Sequence, residues 1–284
     1  MKATKTPVEV LPAGAVAEMP AQLPLWRDAV RGIPNAIARS ALFSVNCSDP
    51  RTRFHRHEIA ALQGSSITYT GEELRLDDED VLLQLIHLAR LQPLGQEVIF
   101  SSYAVIKALG WSVNTHSYER LYDSIERMKA TAVTIKFQKP DGAWLEFKDS
   151  LISTVEHGGK NINNRTDSLW RVKFNRDLLE LYSDMAYTEL DWQMRRKLPP
   201  LAKKLHTLYM TSENPQGLTV EQLHKLTGSR IKQLKQFRYK LRNMLELMHE
   251  RKFLADYVVD PTTDVVRVRR QLSGGHGATN TVAA

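Results

Sequence analysis

LTVEQLHKLTGSRIKQLKQFRYKLRNMLELMHERKFLADYVVDPTTDVVRVRR, residues 218–270, carries a short helix pattern, a turn, a long basic helix pattern and a hairpin in succession. Thr219 is a natural N-cap with Gln222 three places on to close a capping box, and Val220, Leu223 and Leu226 share one helix face. Gly228 ends that pattern. From about residue 229 to 252, Leu234, Phe237, Leu241, Leu245 and Met248 fall on one apolar stripe at helical period. The opposite face holds Ser229, Lys232, Gln236, Tyr239 and Asn243, with Gln233, Lys235 and Lys240 beside them. Residues 255–259 and 265–269 are β-branched runs around Asp260-Pro261-Thr262-Thr263-Asp264, which is strand, turn and strand chemistry. In the second run Val266 and Val268 can pack while Arg267 and Arg269 reach outward. That order predicts a winged helix, with a cationic helix where a DNA groove would lie and a basic hairpin over a phosphate.

Charge points the same way. The chain has 284 residues and a formal net charge of +7. Residues 199–270 contain 14 basic and 7 acidic side chains, so this stretch alone carries an excess equal to that of the whole chain. A polyanion is the partner such an excess suits. Cys47 is the single cysteine, which excludes an intrachain disulfide and a thiolate zinc site, and a reducing cytoplasm is expected. Lys2 and Lys5 open the chain, but Glu9, Pro12 and Glu18 interrupt any apolar run, so neither export nor a membrane partner is expected.

The same order of elements recurs upstream. Asp77, Asp78, Glu79 and Asp80 suit a helix N-terminus, and Leu82, Leu83, Leu85, Ile86 and Leu88 carry that helix towards Pro93. A short strand at 97–100 and a helix through Val105, Ile106 and Leu109 to Gly110 come next. Asn114 or Thr115 then opens a longer helix with Tyr118, Leu121, Ile125 and Met128 on one side. Residues 133–137 and 144–147 flank Lys139-Pro140-Asp141-Gly142 as a hairpin in the wing position. Glu119, Asp123 and Glu126 occupy the outer face of the long helix, a poor match to phosphate, so this half is expected to touch DNA less and to serve protein contacts. The expected class is α+β, mostly α with small β-hairpins, as two tandem winged-helix domains. Residues 1–28 read as a mobile leader, 29–160 as the first domain, 161–272 as the second and main DNA reader, and 273–284 as a disordered tail, with the border between 158 and 190 and a linker across it.

Enzyme motifs are missing. At Gly159-Lys160 a phosphate-binding loop would need glycine at Thr154 and a hydroxyl at Asn161. His57-Glu58 starts a zinc-protease motif whose second histidine position is Ala61. His55-Arg56-His57 reads as exposed histidines in a basic loop with Arg51 and Arg53, and not as the paired-histidine metal site of a nicking enzyme, because Arg56 stands where an apolar residue belongs. No catalytic residue, metal or cofactor is expected. Near the N-terminus, Gln22, Leu23, Leu25 and Trp26 form a compact anchor set around Pro24. The peptide resembles the one by which bacterial replication proteins engage the sliding clamp of DNA polymerase, and it can equally cover the first domain.

Two predicted winged helices, the basic helix and the leader peptide together resemble the plasmid replication initiators, the TrfA family of broad-host-range IncP plasmids in particular. The resemblance implies binding to directly repeated sites (iterons) in double-stranded origin DNA, opening of an A+T-rich segment with its single strand as a further partner, and recruitment of the host initiator, replicative helicase and polymerase clamp. It also implies an inactive homodimer formed through the first domain and an active monomer. The DNA-binding set is Ser229, Arg230, Lys232, Gln233, Lys235, Gln236, Tyr239, Lys240, Asn243, Arg267 and Arg269. A transcriptional repressor or a plasmid partition protein of the same fold would share that set, but a repressor would not need the leader.

Overall fold

The computed structural model describes residues 22–62, 64–93, 95–138, 142–158, 169–182 and 186–271. The expected leader up to residue 21, the tip 139–141, the failed phosphate loop at 159–160 and the tail 273–284 lie outside them. In chain order, the first unit contains β1 (Val30–Pro34), α1 (Asn35–Ala38), β2 (Phe43–Ser44), β3 (Arg53–Ile59), β4 (Ser65–Glu72), β5 (Leu74–Arg75) and α2 (Leu76–Ala89). It continues with β6 (Val98–Ser101), α3 (Ser102–Leu109), α4 (Thr115–Lys129), β7 (Ala132–Gln138), β8 (Trp144–Asp149), β9 (Thr154–His157), β10 (Leu169–Lys173), α5 (Arg176–Glu180), β11 (Tyr187–Asp191) and α6 (Trp192–Arg196). The second unit holds α7 (Pro200–Met210), β12 (Leu218–Thr219), α8 (Val220–Leu226), α9 (Leu234–Glu250), β13 (Leu254–Val259) and β14 (Val265–Arg270). With fourteen strands among the described residues the chain is a mixed α/β protein, and the expectation of a mostly helical one is corrected.

Local signals place most helix ends. The Ser117 N–H donates to Asn114 Oδ1 at 2.9 Å, so Asn114 and not Thr115 caps α4, and Gly110 closes α3 at φ +73°. The capping box of α8 forms as read, with Thr219 Oγ1 accepting from Gln222 N at 3.1 Å and Gln222 Oε1 accepting from Thr219 N at 2.8 Å. α9 departs from its pattern: it begins at Leu234, so Ser229, Arg230, Lys232 and Gln233 lie on the preceding turn. His55-Arg56-His57 is not loop but the exposed middle of edge strand β3, with a bulge between Phe54 and His57 and Arg56 at φ +46°.

The two units have separate cores. One gathers buried apolar residues from 23 to 192 around α2; the other gathers those from 198 to 266 around α9. β10, α5 and β11 therefore belong to the first core, although the expected border at 160/161 gave them to the second. The hairpin expected as the upstream wing also changes role. β7 and β8 extend β3 and β4 into a four-stranded antiparallel sheet, and the strand that pairs with β6 is β10. The order β6-β10-β9 in the first unit repeats β12-β14-β13 in the second.

No loose linker separates the units. Of the acids at the start of α2, expected to complement a helix dipole, Asp78, Glu79 and Asp80 are buried and reach further. Arg195, with no exposed surface, bonds Glu79 and pairs Asp80 at 2.8 Å, while Lys203 of α7 meets Asp80 at 2.5 Å. Arg39 adds bonds to Thr211 at 2.9 and 2.7 Å. Removing one member of a buried ion cluster leaves an uncompensated charge at a cost of about 3–5 kcal/mol, and within this cluster the Lys203–Asp80 pair, with the Arg39–Thr211 bonds, ties α7 to the first unit.

Candidate nucleic-acid interface

α9 can present only one face. Phe237, Leu241, Leu245 and Met248 are wholly buried beneath it, and exposing a side chain of that kind costs about 1.5–3 kcal/mol each, so rotation about the helix axis is forbidden. The opposite face points to solvent. Lys235, Gln236, Tyr239, Lys240 and Asn243 are all exposed, Tyr239 by 69%, and among the described residues no side-chain hydrogen bond or ion pair occupies any of them. Lys232 and Gln233, on the turn just before the helix, are also exposed. A row of donors with no internal partner is what a groove of base edges and phosphates requires.

The hairpin is fixed to this helix. Arg238 donates to both oxygens of Asp264, Nε to Oδ1 at 2.8 Å and Nη2 to Oδ2 at 2.6 Å, tying α9 to the end of the β13–β14 turn. That bond holds the Asp264 carboxyl below the usual carboxylate range. The turn is also braced by the Asp260 carboxylate, which accepts from the Thr262 and Thr263 N–H groups at 2.8 and 3.0 Å. Tyr257 donates its hydroxyl to Glu246 at 2.6 Å, and this hydrogen bond to the carboxylate pushes the phenol up to about 12. On β14, Val266 and Val268 pack on the second core while Arg267 and Arg269 face out opposite Val258 and Asp256.

Two residues of the expected DNA-binding set sit elsewhere. Ser229 is half-buried, its hydroxyl accepting from Ile231 N at 3.3 Å. Arg230 turns back to the first unit, bonding the Pro50 carbonyl at 3.0 Å, the Thr52 hydroxyl at 2.6 Å and Glu73. Arg238 was the residue missed: a basic side chain on an amphipathic helix reads as a phosphate ligand or a solvated charge, and its acidic partner stands 26 positions on.

The leader peptide is folded onto the first core. Gln22 Nε2 donates to the Arg90 carbonyl at 2.7 Å, Trp26 Nε1 donates to His87 Nδ1 at 2.9 Å, and Trp26 stacks on Tyr182 with ring centroids 5.9 Å apart. Leu23 and Trp26 are buried, whereas Leu25 is 68% exposed, so the expected mobile segment is anchored from residue 22 onward. Burial, aided by Arg31 and Arg90, lowers the His87 ring to about 3, so it accepts the indole proton as a neutral base.

The outer face of α4 carries acid as its sequence indicated. Glu119 and Asp123 border a cleft of about 440 Å³ with Tyr103, Tyr118, Tyr122 and His157, the last stacked on Trp170 at 4.1 Å. Among the described residues there is no cluster of side chains suited to a metal ion and no helix long and apolar enough to cross a membrane.

A family model described as TrfA protein matches residues 18–270. The chain belongs to the TrfA family. The plasmid replication initiator protein TrfA of Escherichia coli is 30% identical over 218 residues, which are 75% of this chain and 55% of that protein. The chain thus spans about half the length of this curated TrfA relative. Crystal structures of domains 2 and 3 of RctB share the fold at 13% identity, one with a TM-score of 0.56 covering 85% of this chain and 99% of that one, the other with 0.52 covering 84% and 97%. The TrfA match begins before Gln22 and ends at Arg270, so it takes in the folded leader peptide, both units and the last strand, β14.

Proposed function

We propose that this protein is a plasmid replication initiator that binds repeated origin sites through α9 and the β13–β14 hairpin. Both units are winged helices on this reading, with β13–β14 the wing of the second and β9–β10, not β7–β8, that of the first. The observation that carries the proposal is the unpartnered, exposed face of Lys235, Gln236, Tyr239, Lys240 and Asn243 on a helix whose back is locked in the core. Lysine and arginine contacts to phosphate supply affinity, while the amides of Gln236 and Asn243 suit adenine edges in the major groove.

Membership of the family supports opening of A+T-rich DNA and recruitment of the host initiator, helicase and clamp as the downstream steps, and an inactive dimer paired through the first unit. The peptide at 22–26 meets a clamp groove only after Leu23 and Trp26 leave the first core, because two of its anchors are buried there. Footprinting on the DNA flanking the gene tests the central reading. Protection of direct repeats is expected, and binding that ignores sequence at moderate salt would refute it.

A further inference from the structure

The turn that leads into α9 is held by the first unit. Glu73, between β4 and β5, accepts on one oxygen from the Ser44 hydroxyl at 2.9 Å and the Asn46 amide at 2.7 Å, and its other oxygen receives Arg75 Nε at 3.3 Å and the Arg230 guanidinium. Asn46 reaches the turn twice more: its amide donates to the Gly228 carbonyl at 2.9 Å, and its Oδ1 accepts from the Arg230 N–H at 3.0 Å. Val45 N–H donates to the Thr227 carbonyl at 3.0 Å. Gly228 has no space for a side chain, since a Cβ there would lie 2.9 Å from Ser44 Cβ, and its φ of +62° is one that glycine adopts without strain.

Thr227, Gly228 and Arg230 are thus fixed to residues 44–52 and Glu73 of the other unit, whereas Gln233, the N-cap of α9, makes no side-chain capping bond. Burial alone would favour a neutral Glu73, but hydrogen bonds from Asn46 and Ser44 and the charges of Arg230 and Arg75 hold its carboxyl below the ordinary range, so the anchor is an anion.

We propose that Glu73 and Asn46 are positioning residues for sequence recognition: from the first unit they set where Lys232, Gln233 and Gln236 enter the groove. The inference rests on α9 being the DNA reader. Bidentate contacts to base edges need fixed geometry, while a lysine on a flexible stem meets a phosphate as a point charge from many positions. Releasing the turn therefore erodes specific binding and leaves non-specific binding largely intact.

The test uses the full chain with Glu73→Gln, Asn46→Ala and Arg230→Gln, the repeat duplex that the wild-type protein protects in a footprint, and a scrambled duplex of equal length. Affinity for the repeat should fall about tenfold, with the scrambled duplex within about twofold. A purely stabilising role would instead lower the melting temperature and weaken both duplexes alike, which would overturn the proposal. Should Glu73→Gln fail to fold, Arg230→Gln removes a part-exposed side chain and frees the same turn; an unchanged ratio there and in Asn46→Ala also overturns it. Were the wild-type protein unable to distinguish the two duplexes, the α9 reading itself would fall and this inference with it. A wild-type preference that survives all three substitutions would refute the positioning role alone.

Discussion

Trp26→Ala separates a free leader peptide from one built into the fold. The indole is 5% exposed, stacks on Tyr182 and closes over Gly32, where an added Cβ would lie 3.0 Å from the ring. Truncating a buried tryptophan costs about 3–5 kcal/mol. The His87 nitrogen that accepts the indole proton at 2.9 Å would also lose its partner, which places the loss near the upper end of that range. For a unit of this size each kcal/mol lowers the melting temperature by about 2–4 °C, so a fall of about 8–20 °C is expected in differential scanning calorimetry. Leu25→Ala is the companion measurement. Its side chain is 68% exposed, and the change should stay within about 0.5 kcal/mol of wild type. A Trp26→Ala protein that melts within 2 °C of wild type would show that residues 22–26 contribute nothing to the fold. Leu25→Ala is accordingly the cleaner probe of clamp docking, since a replication defect there would not arise from unfolding.

Other consequences are equally measurable. Gln236→Ala should relax preference at one base position by about 1–3 kcal/mol in a binding array, while Arg269→Ala should weaken all sequences alike and reduce the log-log salt slope by about 0.9; a Gln236→Ala protein with unchanged preference would mean that the helix sits in the groove differently. Arg195→Met leaves Glu79 and Asp80 buried without their shared cation and should cost about 3–5 kcal/mol in urea unfolding, partly recovered by Glu79→Gln. Stability should also fall with acid. Burial lowers the His87 and His206 rings to about 3, with Arg31 and Arg90 adding to it at His87 and Arg195 and Arg270 at His206. Below about pH 6.5 the unfolded chain takes up these protons and the folded one does not, so this contribution is complete above that pH and is lost as pH falls towards 3. Melting temperatures at pH 7 and 5 should therefore differ, and the difference should shrink in His206→Asn; a variant with an undiminished difference would contradict the assignment.

Local chemistry was legible in the chain itself. The α8 capping box, the stop at Gly110, an α4 start at Asn114 or Thr115 and the alternation of β14 depend on neighbours a few residues apart, and the apolar stripe of α9 decides by itself which side of that helix is buried. The outward set Lys235, Gln236, Tyr239, Lys240 and Asn243 follows from that stripe, because the faces of a helix are fixed by its period.

Tertiary structure decided everything that depends on residues distant in the chain. Whether Trp26 is a free anchor or a core residue turns on His87 and Tyr182, and whether Arg230 faces DNA or protein turns on Glu73. β7 and β8 read as a wing because a hairpin's pattern does not name its outer neighbour; β7 pairs with β4 in another sheet, and the strand beside β6 is β10. The acids of α2 look like a helix-dipole motif until Arg195 and Lys203 arrive more than a hundred residues later. A charged side chain buried in a core needs an opposite charge within bonding distance, and only the folded chain shows which one comes within reach.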